Sequence, residues 1–456
     1  MKMDSFKQTD IGLIPEDWKC KFLKDVTNET VTRNPSIVHP DKYIRYVDVS
    51  SVSNESYKIT SDQFVKGSEA PGRARKVIQT NDTIFATIRP TLKRIAKVNS
   101  NYNDEYCSTA FCVLRPDQDL ISGDFLYYSL LTDFFIEEIS KHQSGASYPA
   151  VRDDNVKDMA IPLPKIPEQK KIAHILSKIQ QAIETQEQMI KTTQELKKAL
   201  MQKLFTEGLN DEPQKQTEIG LIPESWDVAT IKDYGLVKSH SFSFTKIPSI
   251  DNGKKIGEKI LAIKVSDMNL PGNGKIIGYS NIEFYIPKPL VGKIKAIPPN
   301  SIIFPKRGAA IATNKKRLAD YYVILDPNLI AIIPAASVNP KYLFYWFLTF
   351  DLKNLQDDNP IPQLNKKDVD LVKFPLPELN TQKKIVHILD NQDFKLESQH
   401  TKYSLLKDFF KSSLNNLMTG QIRVKDIEFK LEGGIDTPNK EKLTPRFIGV
   451  TKEILK

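Results

Sequence analysis

The chain has little of what most enzymes and most exported proteins carry. It has only three cysteines, Cys20, Cys107 and Cys112, which form neither an even framework nor a Cys-x-x-Cys pair. That pattern argues for free thiols in a reducing compartment. The six histidines include no His-x-x-x-His pair, so a metal centre of that type is not expected. The start, M-K-M-D-S-F-K-Q-T-D, lacks the apolar core of a signal peptide. No run approaches the roughly 18 apolar residues of a membrane span, and the most apolar stretch, Tyr342 to Phe350, is far too short. The expectation is a cytoplasmic protein without a membrane partner.

Catalytic motifs are equally scarce. Gly272-Asn273-Gly274-Lys275-Ile276-Ile277-Gly278 has one residue too many before its last glycine for a dinucleotide loop, and a hairpin turn is the better reading. Pro298-Pro299-Asn300 and Asp358-Asn359-Pro360 do not make an Asn/Asp-Pro-Pro-Tyr/Phe methyltransferase motif. Asp17-Trp18-Lys19 could be forced into a nuclease metal motif, but a second Trp site reads Ser225-Trp226-Asp227, so the tryptophan fits a packed anchor better. No catalytic or metal-binding residue is therefore assigned.

What is present is repetition. Residues 9–18 read T-D-I-G-L-I-P-E-D-W and residues 217–226 read T-E-I-G-L-I-P-E-S-W. Residues 161–176, I-P-L-P-K-I-P-E-Q-K-K-I-A-H-I-L, are echoed by residues 374–389, F-P-L-P-E-L-N-T-Q-K-K-I-V-H-I-L. The long segments between, roughly 19–160 and 227–373, look unrelated. One frame thus carries two different inserts. With 456 residues, 40% hydrophobic and 27% charged, about two to four globular domains are expected.

The second block of each repeat opens a helical pattern. Ile172, Leu176, Ile179, Ile183, Gln186, Ile190, Thr193, Lys197, Leu200 and Leu204 recur in steps of four and three, and Gly208 follows. Ile385, Leu389, Gln392, Leu396, Gln399, Tyr403, Leu406, Phe410, Ser413 and Leu417 repeat the seam, and Gly420 follows. This is a heptad pattern with polar interruptions. Two helices, 167–206 and 380–419, each on the order of 60 Å long, are expected to pack antiparallel as a pseudo-two-fold pair, with the variable segments at opposite ends. Those segments read as α+β domains with a strand-rich front and a helix before the exit. Strands are expected at Tyr43–Val49, Thr83–Ile88 and Cys107–Leu114, then around Lys259–Val265, Ile282–Ile286, Ser301–Pro305 and Leu329–Ile333. Helical pattern covers Phe125–Lys141 and Tyr342–Phe350.

Lys+Arg exceed Asp+Glu by 65 to 56, a formal net charge of +9, which permits a polyanionic partner. Each variable segment has two basic clusters on expected loops. Arg73, Arg75, Arg89, Lys93 and Arg94 lie in the first, and Lys306, Arg307, Lys315, Lys316 and Arg317 in the second. Arginine can bond guanine edges in bidentate fashion and lysine mainly neutralises phosphate. These are the candidate contacts to double-stranded DNA, with polar loop residues such as Ser147 and Tyr148 as an alternative source of readout.

The doubled I-G-x-I-P-x-x-W and P-L-P…Q-K-K-I blocks around two divergent segments resemble the specificity subunit of type I restriction–modification systems, over about residues 5–425. The resemblance implies two α/β-type target-recognition domains separated by two long antiparallel coiled-coil helices, an α+β fold with a pseudo-two-fold internal repeat. It divides the chain into 1–160 (first recognition domain and shared segment), 161–208 (long helix), 209–373 (second recognition domain), 374–420 (long helix) and 421–456 (charged tail). It further implies that each domain reads half of a bipartite DNA site and that the subunit has no active site. Two methyltransferase subunits and then restriction subunits would join it, and S-adenosylmethionine, ATP and Mg would sit on those partners. Docking is expected around Trp18, Ile172, Trp226 and Ile385. The recognition partner of a fused restriction system, or a repeat scaffold that binds only protein, are the other readings.

Overall fold

The two long helices run Ile166–Thr206 and Leu379–Met418 in the computed structural model, which describes residues 5–239, 257–357 and 361–425. The part of the charged tail from 426 onward and the segment Asp358–Pro360 lie outside the described residues. Gly208 and Gly420 follow the helices with φ of +75° and +71°, the left-handed geometry that ends a helix and that glycine adopts without strain.

The chain forms two compact units. Of the described residues, the first comprises 5–189 with 399–425, and the second 190–239, 257–357 and 361–398. Each therefore holds the start of one long helix and the end of the other. In the first unit, Ile172, Ala173, Leu176 and Ile179 share a core with Phe410, Leu414, Leu417 and Met418. In the second, Ile385, Val386 and Leu389 share a core with Met201, Leu204 and Phe205. The start of one helix meets the end of the other in both, so the pairing is antiparallel. Full burial of each such side chain is worth about 1.5–3 kcal/mol, enough for the seam to dominate helix propensity.

The shared blocks make the same frame in each unit. Phe6–Thr9 pairs with Gly12–Pro15, and Gln214–Thr217 with Gly220–Pro223. The strand after each tryptophan then pairs with the proline strand of the second block: Lys19–Phe22 with Ala160–Leu163, and Asp227–Thr230 with Lys373–Leu376. The glutamine of Q-K-K-I is a buried tie. Gln169 accepts from the Ser122 amide at 2.8 Å and donates to the carbonyls of Leu120 and Pro164 at 3.0 and 2.9 Å. Gln382 accepts from the Asn339 amide at 2.8 Å and donates to the Pro377 carbonyl at 2.9 Å. Ser122 and Asn339 cap the helices Gly123–Leu131 and Pro340–Thr349, so this glutamine fastens each insert to its long helix.

The inserts look unrelated in sequence yet share a topology. In the first, one sheet is ordered Thr27–Asn28, Phe111–Pro116, Thr83–Ala86, Ile95–Lys97. In the second, the order Gly235–Lys238, Leu329–Pro334, Ile302–Pro305, Arg317–Ala319 matches it, with Ile276–Ile277 added. The other sheet has Gln63–Lys66, Tyr43–Val47 and Glu105–Ser108 in one insert, extended by Ala74–Ile78. It has Glu283–Ile286, Glu258–Ile263 and Tyr322–Leu325 in the other. In each insert this second sheet contains one parallel pair beside antiparallel pairing.

Three local expectations change. The run Cys107–Leu114 is two strands in two sheets, because the register shifts at Cys107/Ser108 and the Thr109 amide turns to the Arg73 carbonyl at 2.9 Å. Phe125–Lys141 is two helices, broken where Thr132 turns extended and caps the second through the Phe135 amide. Gly272–Gly278 is not a hairpin. Asn273, buried, accepts from the amides of Gly278 and Tyr279 and donates to the carbonyls of Asp267 and Tyr279. The following strand Ile276–Ile277 pairs in parallel with Arg317–Ala319.

Candidate nucleic-acid interface

In each insert a buried strand leaves its sheet beside a proline-containing loop, and the two form a seam at the surface. In the first, the Arg89 amide donates to the Pro149 carbonyl at 2.7 Å, and the Val151 amide to the Thr87 carbonyl at 2.9 Å. Ile88 bridges to Ala150. In the second, the Gly308 amide donates to the Pro362 carbonyl at 2.7 Å, and the Leu364 amide to the Lys306 carbonyl at 2.8 Å. Arg307 bridges to Gln363. Arg89 and Gly308 thus occupy equivalent places, and both have positive φ, +50° and +67°. Glycine tolerates that conformation freely, whereas an arginine there is strained by roughly 1–3 kcal/mol.

The basic candidates separate on these surfaces. Arg89 is exposed, and its guanidinium lies 4.8 Å over the ring of Tyr148, itself 70% exposed. Ser147 lies beside it in an exposed loop, and Arg73 is exposed on its own loop. Arg307 is exposed and donates through Nε and Nη2 to Gln363 Oε1 at 3.1 and 2.7 Å. Lys306 is half-buried, and burial, followed by the charge of Arg307, lowers its pKa.

Other candidates have partners within the fold. Arg75 donates to its own strand at the Ala74 carbonyl, 2.9 Å. Lys93 pairs with Asp133 at 2.8 Å, and Arg94 donates to the carbonyls of Val49 and Val52. Lys315 donates to Asn269 Oδ1. Arg317 is half-buried and donates to the carbonyls of Lys316, Asn273 and Met268 at 2.9, 3.2 and 3.3 Å.

Lys316 departs from its expected place. It is only 1% exposed, and its ammonium donates to Asn314 Oδ1 at 2.8 Å and to the Phe350 carbonyl, over the Phe347 ring. A group so enclosed reaches no phosphate; its role is to fasten the loop to the helix Pro340–Thr349. Burial pushes its pKa down to about 8. From about 8 to the ordinary lysine value of 10.5, the unfolded chain binds a proton that the folded chain has released. Stability therefore rises with pH across that window and has no slope from this group below it. Lys316→Met is expected to remove the slope, read from thermal midpoints between pH 7 and 10, while the salt dependence of DNA binding stays unchanged.

The seam was missed in the sequence, although a signal existed. Pro362 lies 213 residues after Pro149, the spacing that relates Gln169 to Gln382. The shared frame therefore reaches into what reads as variable sequence. Gln363 carries no charge, so it did not stand out.

A family model for the type I restriction modification DNA specificity domain matches residues 15–194 and again 223–408. The chain belongs to this family. A type I specificity subunit with two target-recognition domains accounts for the doubled frame and the two matched inserts. A Methanocaldococcus jannaschii protein assigned as the specificity subunit of the type I restriction enzyme MjaX is 28% identical, with 93% of this chain and 98% of that one covered. The MjaVIII specificity subunit of the same organism is 24% identical, over 94% of this chain and 98% of that one. A chain solved in work on complex assembly and conformational transition of the type I R-M system superposes with a TM-score of 0.59 at 25% identity, covering 90% of this chain and 99% of that one.

The side chains expected at docking surfaces are buried in this fold. Trp18, Ile172, Trp226 and Ile385 are 1%, 0%, 2% and 0% exposed. They fill the cores where the shared blocks meet, because an indole or a seam isoleucine is stabilised most where it loses most water. Among the apolar residues of the two hairpin blocks, Leu13 and Leu221 stay exposed, 60% and 48% at equivalent positions. No described helix is long and apolar enough to cross a membrane.

Proposed function

We propose that each target-recognition domain reads one half of an asymmetric, bipartite site in double-stranded DNA, with the seam of strand end and proline loop as its reading edge. The observation that carries this is the recurrence of one seam in two inserts of unrelated sequence, each presenting an exposed arginine, Arg89 on Tyr148 and Arg307 on Gln363. A common backbone with different side chains is what two readers of different half-sites require. In this reading the paired helices set the spacer, and the subunit is a non-catalytic cytoplasmic adaptor. Methylation, S-adenosylmethionine, ATP and Mg belong to its partners. Two copies of one methyltransferase dock on the two equivalent frames, since similar patches present similar contacts. Leu13 and Leu221 each line a groove beside the end of a long helix, of about 90 and about 890 Å³ respectively. Restriction subunits join that complex.

Methylated adenines mapped across the genome, with and without this gene, test the reading. One bipartite motif should disappear with the gene, and an unchanged map would refute it. Shortening both long helices by matched heptads should shrink the unread spacer and leave both half-sites intact. Altered half-sites would show that the helices are not the ruler. The reconstituted complex should have the mass of two methyltransferase copies per chain, and the chain alone should neither methylate nor cut DNA.

A further inference from the structure

The two reading edges are built alike but hold their arginines differently. In the first domain the bridged pair is Ile88 and Ala150, two apolar residues, and the exposed arginine is the next one, resting on a tyrosine ring. In the second domain the bridged pair is Arg307 and Gln363, joined also through their side chains. Gln363 is well held. Its amide donates to Asp357 Oδ1 at 2.9 Å, its side-chain nitrogen donates to Asn365 Oδ1 at 3.3 Å, and its carbonyl accepts from the Asp357 amide at 3.2 Å. The side-chain nitrogen is thereby engaged, which turns Oε1 toward the guanidinium.

Arginine has five N–H donors in a fixed planar fork. Gln363 takes Nε–H and one Nη2–H, the side edge of that fork. Of the donors left over, one N–H of Nη1 and the second of Nη2 form the end-on edge, while the other Nη1–H points back along the stem. That edge matches the two acceptors, O6 and N7, that guanine shows in the major groove. A long flexible side chain held this way reaches the base without first losing its rotamer freedom, the cost that preorganisation removes.

We propose that Gln363 is a specificity-positioning residue. It fixes the Arg307 guanidinium so that its end-on edge reads a guanine in the second half-site. The proposal rests on the reading of the domains as DNA readers and adds the residue that orients the second reader, the chemistry of its target base, and an asymmetry. The first domain has no such clamp at the equivalent position.

The test uses the full chain assembled with its methyltransferase subunits, titrated by fluorescence anisotropy with its target duplex and with duplexes altered at one base pair at a time. Gln363→Met keeps the length of the side chain and removes the acceptor. At one G·C pair of the second half-site, discrimination should fall by about tenfold. Affinity for unrelated DNA, the salt slope and discrimination throughout the first half-site should hold. Arg307→Ala should relax the same pair, and the double variant should relax it no further than Arg307→Ala alone, because the glutamine acts through the arginine. Gln363→Glu, which restores an acceptor, should recover discrimination at that pair. The proposal is overturned if Gln363→Met and Arg307→Ala relax different pairs, if Gln363→Met weakens all duplexes alike, or if it changes nothing. A wild-type complex with no preferred duplex would overturn the DNA-reader assignment itself, an outcome distinct from the other three.

Discussion

Replacing Arg423 by alanine is expected to cost about 3–5 kcal/mol, the usual penalty for stranding one side of a buried ion pair, and to do so in the first unit alone. Arg423 follows the second long helix. Its guanidinium donates to both Asp17 oxygens at 2.9 and 2.7 Å and to both Glu168 oxygens at 2.8 and 3.0 Å. It also lies over the Trp18 ring at 5.6 Å, while the Trp18 indole donates to Glu168 Oε2 at 3.1 Å. The side chains of Arg423 and Glu168 are each 8% exposed, but that of Asp17 is 54%. The loss should therefore fall near the lower end of the range and come mainly from Glu168, left without its partner. In calorimetry the transition of the first unit should fall by roughly 2–4 °C per kcal/mol and that of the second should stay. Equal shifts in both, or none, would show that the cluster is not what fastens this end of the helix.

The same cluster predicts a slope in acid. The hydrogen bond from Arg423 holds the Asp17 carboxyl below its ordinary value, despite some burial. A carboxyl lowered in this way stabilises the fold above its unfolded pKa of about 3.9, and the contribution disappears as pH falls through the lower folded value. Asp17→Asn should flatten that acid limb and leave stability at pH 7 to 9 without a new slope.

Arg89→Gly should separate recognition from stability more sharply than any other substitution in the first domain. Discrimination at one base pair of the first half-site should fall by about 1–3 kcal/mol, with the salt slope for unrelated DNA nearly unchanged. The fold should be no less stable, because φ at this position is +50° and the equivalent residue of the other domain is already Gly308, at +67°. Arg89→Ala should lose the same discrimination while keeping the backbone strain. Tyr148→Ala should have a smaller effect at the same pair, through loss of the ring on which the guanidinium rests. If Arg89→Gly instead weakened every sequence alike and lowered the salt slope by about one, Arg89 would be a phosphate contact. The duplexes that report Gln363→Met also report these variants.

The sequence by itself determined the frame. Two blocks repeated at nearly constant spacing, and a seam of apolar residues in steps of three and four, require two long helices that bury one stripe each. The pattern placed them at 167–206 and 380–419, and they run 166–206 and 379–418. Ile172 and Leu417 share a core as antiparallel pairing demands. Periodicity is a local property of the chain, so it survives being read one residue at a time.

The seam proposed as the reading edge is not local. Arg89 meets Tyr148 and Arg307 meets Gln363 only because a strand end and a loop some sixty residues away converge at one seam, with separations of 59 and 56 residues along the chain. Charge marked where an arginine or lysine was, but not whether it was free. Lys316 and Arg317 carry the same sign as Arg307 and spend it on carbonyls inside the fold. Likewise the sequence left the shared tryptophans readable both as packed anchors and as docking residues, and burial makes them core. Composition counts charges and aromatics. Only the tertiary structure decides which of them lose their water to the protein itself and which keep a face for a partner, because that depends on neighbours far apart in the chain.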